Sequence, residues 1–117
     1  MAGTIVADTI QDGAGNSTAM DNAIYGSAKA WVNFNGNSGG GIRASYNVSS
    51  ISRTGTGAYT VNFTNALIDG NYSVTCGSYA GNPCSLYGTP STTSFQLISF
   101  YAGSNYDVTY VTVAVFR

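Results

Sequence analysis

Residues 106–117 read Tyr-Asp-Val-Thr-Tyr-Val-Thr-Val-Ala-Val-Phe-Arg. The run is long enough for a strand, rich in β-branched and aromatic side chains, and free of Gly and Pro. Because strand side chains alternate, Val108, Tyr110, Thr112, Ala114 and Phe116 share one face, and Thr109, Val111, Val113 and Val115 share the other. Both faces are largely apolar, so neither is built for water. Such a strand lies between two layers of its own domain, or between its domain and another subunit. In a short chain the second option is serious, and it predicts that Val111, Val113 and Val115 line an oligomer interface.

The rest of the composition agrees with an all-β chain. At 117 residues there is room for one domain, able to bury a core but marginal alone. His and Glu are absent, Lys29 is the sole lysine, and charged residues make up 8%. Gly, Tyr, Ser, Thr and Asn dominate, while helix formers other than Ala are scarce. The net charge is −1, and the basic residues Lys29, Arg43, Arg53 and Arg117 are scattered. That argues against nucleic-acid binding, which needs a clustered basic surface. No apolar run approaches the ~20 residues of a membrane span, so membrane insertion is not expected. The opening Met1-Ala2-Gly3-Thr4 has no basic start, which predicts synthesis in a cytoplasm without a cleaved leader.

Two regions differ in texture. Residues 1–27 carry one candidate strand, Thr4 to Ile10, then a Gly-rich connector over 11–18, then an ambiguous stretch, Ala19 to Gly26, that is either an extended link or one helical turn. With so few anchors this segment reads as an attachment or oligomerisation arm, with Ile5, Val6 and Ile10 as its contacts. Residues 28–117 read as a β-module. The pattern predicts six strands: residues 28–35, 42–52, 58–64, 72–76, 93–101 and the closing run. Arg53 to Gly57 is expected as a five-residue hairpin turn, and residues 77–93 as a loop. Strands at this spacing suggest a small antiparallel β-sandwich.

Catalytic constellations are missing from the sequence. General acid–base work draws on His, or on tuned Glu, Asp or Lys. Here the five acids are Asp8, Asp12, Asp21, Asp69 and Asp107, mostly beside Gly or Asn in turns, where they serve the backbone. Only a meeting of Asp69 with Asp107 would offer a carboxylate pair. No serine elbow, phosphate loop or calcium loop occurs. The expectation is a non-enzyme with no cofactor. Cys76 and Cys84 flank a short loop, and predict either a disulfide pinning it or two thiols beside strands. They do not predict a metal site, since neither a third Cys nor any His exists to complete zinc. What remains is aromatic surface. Trp31, Tyr79, Tyr87, Tyr101 and Tyr106 are the candidate contacts for a sugar or a protein partner, weighed against tyrosine's ordinary frequency in sheets and interfaces.

The runs Ala-Lys-Ala-Trp-Val-Asn-Phe-Asn-Gly (28–36), Ile-Arg-Ala-Ser-Tyr-Asn-Val-Ser-Ser-Ile (42–51) and Gly-Thr-Gly-Ala-Tyr-Thr-Val-Asn-Phe-Thr (55–64) resemble a module of bacteriophage tail-fibre and virion appendage proteins. The likeness is to those of marine and cyanobacterial phages, and the opening stretch 6–17 is similar to the start of such proteins. The resemblance implies a virion structural protein, made in the host cytoplasm. It implies a homotrimer, joined to other virion proteins through the arm, with its module near the end of a fibre and facing a host surface receptor or glycan. A capsid decoration (head fibre) or tail adaptor is the alternative. A weaker, architectural similarity is to the trimeric sandwiches of H-type lectins.

Overall fold

The computed structural model describes residues 2–117, with Ala80 described by its backbone only. Strands account for 49% of residues and helix for 8%, which bears out the all-β expectation. After a small antiparallel hairpin, β1 (Thr9–Gln11) and β2 (Ser17–Ala19), comes a single short helix, α1 (Met20–Gly26). The ambiguous stretch is therefore helical, and the first strand is displaced from residues 4–10 toward the connector. None of residues 2–27 is buried.

The remaining strands are β3 (Ala30–Phe34), β4 (Ile42–Tyr46), β5 (Val48–Gly55), β6 (Ala58–Phe63), β7 (Ser73–Ser78), β8 (Cys84–Tyr87), β9 (Ser94–Tyr101), β10 (Ser104–Asn105) and β11 (Val111–Phe116). They form two antiparallel sheets. One has the order β4-β3-β11-β7; the other has β10-β9-β6-β5, with β8 also on β9. Residues 94–98 of β9 pair with β6. The strands β8 and β10 therefore follow one another along the opposite edge of β9.

The core lies between the sheets. Ala30, Val32 and Phe34 face Tyr59, Val61, Phe63, Phe95 and Leu97, with edge-to-face rings at Phe34–Tyr59 (centroids 5.2 Å) and Phe63–Tyr72 (5.7 Å). Val111, Val113 and Val115 are 0%, 5% and 1% exposed in this same core. That corrects the interface expectation. β11 runs inside its sheet between β3 and β7, so its valine face is covered by the chain's own second sheet, and the Thr112, Ala114 and Phe116 side looks outward.

The expected strand over 42–52 is two strands in different sheets. Asn47 sits between them at φ 54°, a left-handed conformation that Asn tolerates better than most residues. Its side chain holds the corner: Oδ1 accepts from the Asn65 N–H (2.8 Å), and Nδ2 donates to the carbonyls of Lys29 and Asn65 (both 3.2 Å). The β5–β6 hairpin closes more tightly than expected, through Thr56 and Gly57 alone.

Strand direction defines two ends. The chain enters β3 at Ala30 from the N-terminal segment, and the C-terminal end of β11 and the Asn47 corner lie at that near end. Phe34, the 35–41 loop, the Thr56–Gly57 turn, the start of β11 and the ends of β7 and β9 lie at the far end. The radius of gyration is 16.5 Å, against about 13 Å for a compact chain of this length. The excess fits an N-terminal segment outside the sandwich.

Candidate functional site: a tyrosine-lined cleft at the far end

Three of the five candidate aromatics meet at the far end. Tyr79, Tyr101 and Tyr106, with Asn37, Asn82 and Thr109, line a cleft of ≈ 440 Å³, inside the range of small-ligand sites. Each tyrosine is placed by a different element. Tyr101 continues the inward series Phe95, Leu97, Ser99 one step past the core, so its ring overhangs the open end of the sandwich. Tyr106 is held by its backbone, whose N–H donates to the Ser99 carbonyl (3.0 Å) while its own carbonyl accepts from the buried Ser99 hydroxyl (2.6 Å). The two rings lie 5.3 Å apart, tilted by 45°. Tyr79 opens a short 3-10 turn, Tyr79–Gly81, and its N–H donates to the Tyr110 carbonyl (3.1 Å). All three rings are well exposed, at 64%, 59% and 49% for Tyr79, Tyr101 and Tyr106.

The other two aromatics point elsewhere. Tyr87 pairs with Gln96 and faces outward on the β9 sheet. Trp31 lies on the outer face of the opposite sheet, between Tyr46 and Ala114. Sequence reasoning missed Asn37, Asn82 and Thr109. Asn37 had one usable signal, its place in a Gly-rich loop; its Nδ2 donates to the Thr109 hydroxyl (3.2 Å) and joins the two walls.

Asp107 anchors the wall that carries Tyr106 and Thr109. Its carboxylate takes three contacts from Arg53, the shortest 2.7 Å from a terminal guanidinium nitrogen. It also accepts the Gly57 N–H (2.8 Å) and faces the Tyr59 hydroxyl (3.3 Å), which donates to the Gly36 carbonyl as well (2.9 Å). Asp69 is at the near end, in a fork with Arg117. The two acids therefore form no carboxylate pair.

Arg53 beside Asp107 holds that carboxyl below the usual carboxylate range, and Arg117 with the Asn71 N–H lowers Asp69 to about 2. Acids with folded pKa values below their unfolded values add stability above about pH 4 and lose it as pH falls toward about 2. The sequence holds no His to titrate near neutrality. The unfolding midpoint is therefore expected to stay level from about pH 5 to 8 and drop below about pH 4. A slope across neutrality in a thermal-melt series would contradict this.

Cys76 on β7 and Cys84 on β8 are half-buried free thiols that face the core side by side from opposite sheets. Burial, with Cys76 next to it, pushes the Cys84 thiol up. The structure thus carries the thiol alternative. Ile5 and Val6 are 87% and 94% exposed and Ile10 43%. Among the described residues no group of three or more His, Cys, Asp or Glu could hold a metal, and no helix is long and apolar enough to cross a membrane. No family model, curated protein or solved structure matches the chain.

Proposed function

We propose that this chain is a bacteriophage virion protein, a homotrimeric fibre or appendage tip that binds a host surface glycan through the far-end cleft and joins the particle through residues 1–27. One observation carries the reading: Tyr79, Tyr101 and Tyr106 gather at the end of the sandwich opposite the entry of the N-terminal segment. Tyrosine faces stack on the C–H faces of sugar rings, and the amides of Asn37 and Asn82 and the Thr109 hydroxyl suit sugar hydroxyls. The nearly bare Ile5 and Val6 support attachment, because apolar side chains so exposed gain by being covered. The sequence resemblance supplies the virion setting.

With the β11 valines in the core, trimer contacts fall to the near-end half of the outer face of β4-β3-β11-β7, where Trp31 and Tyr46 are exposed. That same face favours the second reading, a capsid decoration or tail adaptor that spends its aromatic surface on neighbouring subunits.

The test is saturable binding of labelled, assembled protein to candidate host cells, with competition against phage adsorption. Tyr101→Ala combined with Tyr106→Ala is expected to weaken binding at least about tenfold, at about 1–3 kcal/mol per lost aromatic contact, with little change in melting. Absence of binding by a properly assembled oligomer would favour the decoration reading.

A further inference from the structure

Among the described residues the side-chain charges of the sandwich pair off with two exceptions, Lys29 at the near end and Arg43 at the far end. Arg53 pairs with Asp107 and Arg117 with Asp69. The other acids, Asp8, Asp12 and Asp21, lie on the N-terminal segment. At the near end Lys29 donates to the carbonyls of Ile24 and Ser27. Among the described residues that leaves Arg43 as the far-end charge without a counter-charge, in a protein whose net charge is −1.

Arg43 is also fixed in place. It sits at the irregular end of β4, with its guanidinium 3.8 Å above the Tyr110 ring. One terminal nitrogen donates to the Thr109 carbonyl (2.8 Å), and the other reaches Asn33 Oδ1 at 3.4 Å. Thr109 forms part of the cleft wall, and the Tyr110 ring is 6.0 Å from that of Tyr79. A guanidinium has five N–H donors, so two contacts leave others free for two oxygens of an anion. Stacked on a ring and held by a carbonyl, it binds with less ordering cost than a free surface arginine.

Arg43 itself stands outside the cleft lining, beyond Thr109. We infer that the cleft takes a saccharide bearing an acidic group, a carboxylate or a sulfate, and that this group reaches over the Thr109 rim to Arg43. This rests on the glycan reading above and adds the ligand's charge. Stacking by Tyr79, Tyr101 and Tyr106 does not distinguish a neutral sugar from an acidic one; Arg43 does.

The experiment uses the full chain and a panel of matched oligosaccharides: uronates against their methyl esters, and sialylated and sulfated sugars against their neutral parents, with inorganic sulfate as a competitor. Titration calorimetry reads affinity, and melting confirms the fold of each variant. In at least one pair the acidic member is expected to bind about tenfold tighter, the scale of one charge-assisted contact. Arg43→Gln should remove that preference, so that the acidic and neutral members bind alike, while Arg43→Lys should keep part of it. Tyr101→Ala should weaken both members. If acidic and neutral sugars bind alike, or Arg43→Gln keeps the preference, the inference is overturned and the glycan reading stands. Displacement of the acidic sugar by sulfate alone at equal concentration, without help from the sugar ring, also overturns it. If no member of any pair binds, both readings fall.

Discussion

Replacing Gly57 by Ala is expected to lower the unfolding free energy by about 3 kcal/mol. Gly57 has φ +66°, and a Cβ there would lie 2.6 Å from the Ser99 carbonyl oxygen, 2.6 Å from the Tyr106 nitrogen and 2.9 Å from the Tyr106 oxygen. All three are backbone atoms already engaged: Tyr106 N–H donates to the Ser99 carbonyl, and the Tyr106 carbonyl accepts from the Ser99 hydroxyl. The Ser99 N–H in turn donates to the Gly57 carbonyl (2.8 Å). No side chain can swing away to make room. The left-handed conformation costs a non-Gly residue about 1 kcal/mol, and loosening two of these bonds costs about 1 kcal/mol each. The thermal midpoint should fall by about 10 °C or more. Gly39→Ala is the control, since Gly39 also has positive φ (+77°) but nothing within 4 Å of an added Cβ. It should lose only the conformational part. Equal losses for the two would show that the packing of Gly57 against β9 and the Tyr106 loop is unimportant.

Much of the sandwich is legible because its strands alternate cleanly. Tyr59, Val61 and Phe63 read as one inward face and are one. What the pattern leaves open is the identity of the covering layer. Val111, Val113 and Val115 look the same whether a second sheet or a second subunit covers them, and only the two-sheet topology decides. The break at Asn47 is hidden for a different reason. A single left-handed Asn redirects the chain while the alternation on either side looks continuous, and its partners Lys29 and Asn65 are remote in sequence. β8 is four residues long and bounded by Pro83 and Gly88, too short to stand out from a turn-rich stretch. In the cleft, residue type was legible and grouping was not. Five exposed aromatics were readable as candidates, yet which of them share an end depends on strand direction and register. That rule gathers Tyr79, Tyr101 and Tyr106 and sends Tyr87 and Trp31 to outer faces. Arg43 and Tyr110 are likewise paired only by the meeting of β4 with the approach to β11.

Asp107→Ala is expected to damage fold and cleft together, and Asp107→Asn to separate the two contributions. The Ala variant removes the acceptor of the Gly57 N–H and the partner of Arg53, while Tyr59 keeps the Gly36 carbonyl. Leaving a half-buried N–H without its charged acceptor costs about 2 kcal/mol; the ion pair, partly open to solvent, adds little. The Asn variant retains an oxygen for Gly57 but turns an NH₂ toward the guanidinium, donor against donor, so about half of the loss should return. Binding should suffer more than stability in both. Asp107 lies between Tyr106 and Val108 in the wall of the cleft, and releasing it frees that wall to move while the core stays packed. Measured well below the melting temperature, cell binding should fall at least about tenfold for Ala. The pH dependence then identifies the cause. Since Arg53 holds the Asp107 carboxyl low, the folded protein keeps the charge below the unfolded pKa of about 4, and the stability gap between wild type and Asn is full above that value. As pH falls further and Asp107 takes up its proton, the two side chains become alike and the gap should close. A gap that stays constant from neutral pH into strong acid would mean that the carboxylate's charge contributes nothing, and that its shape alone holds the loop.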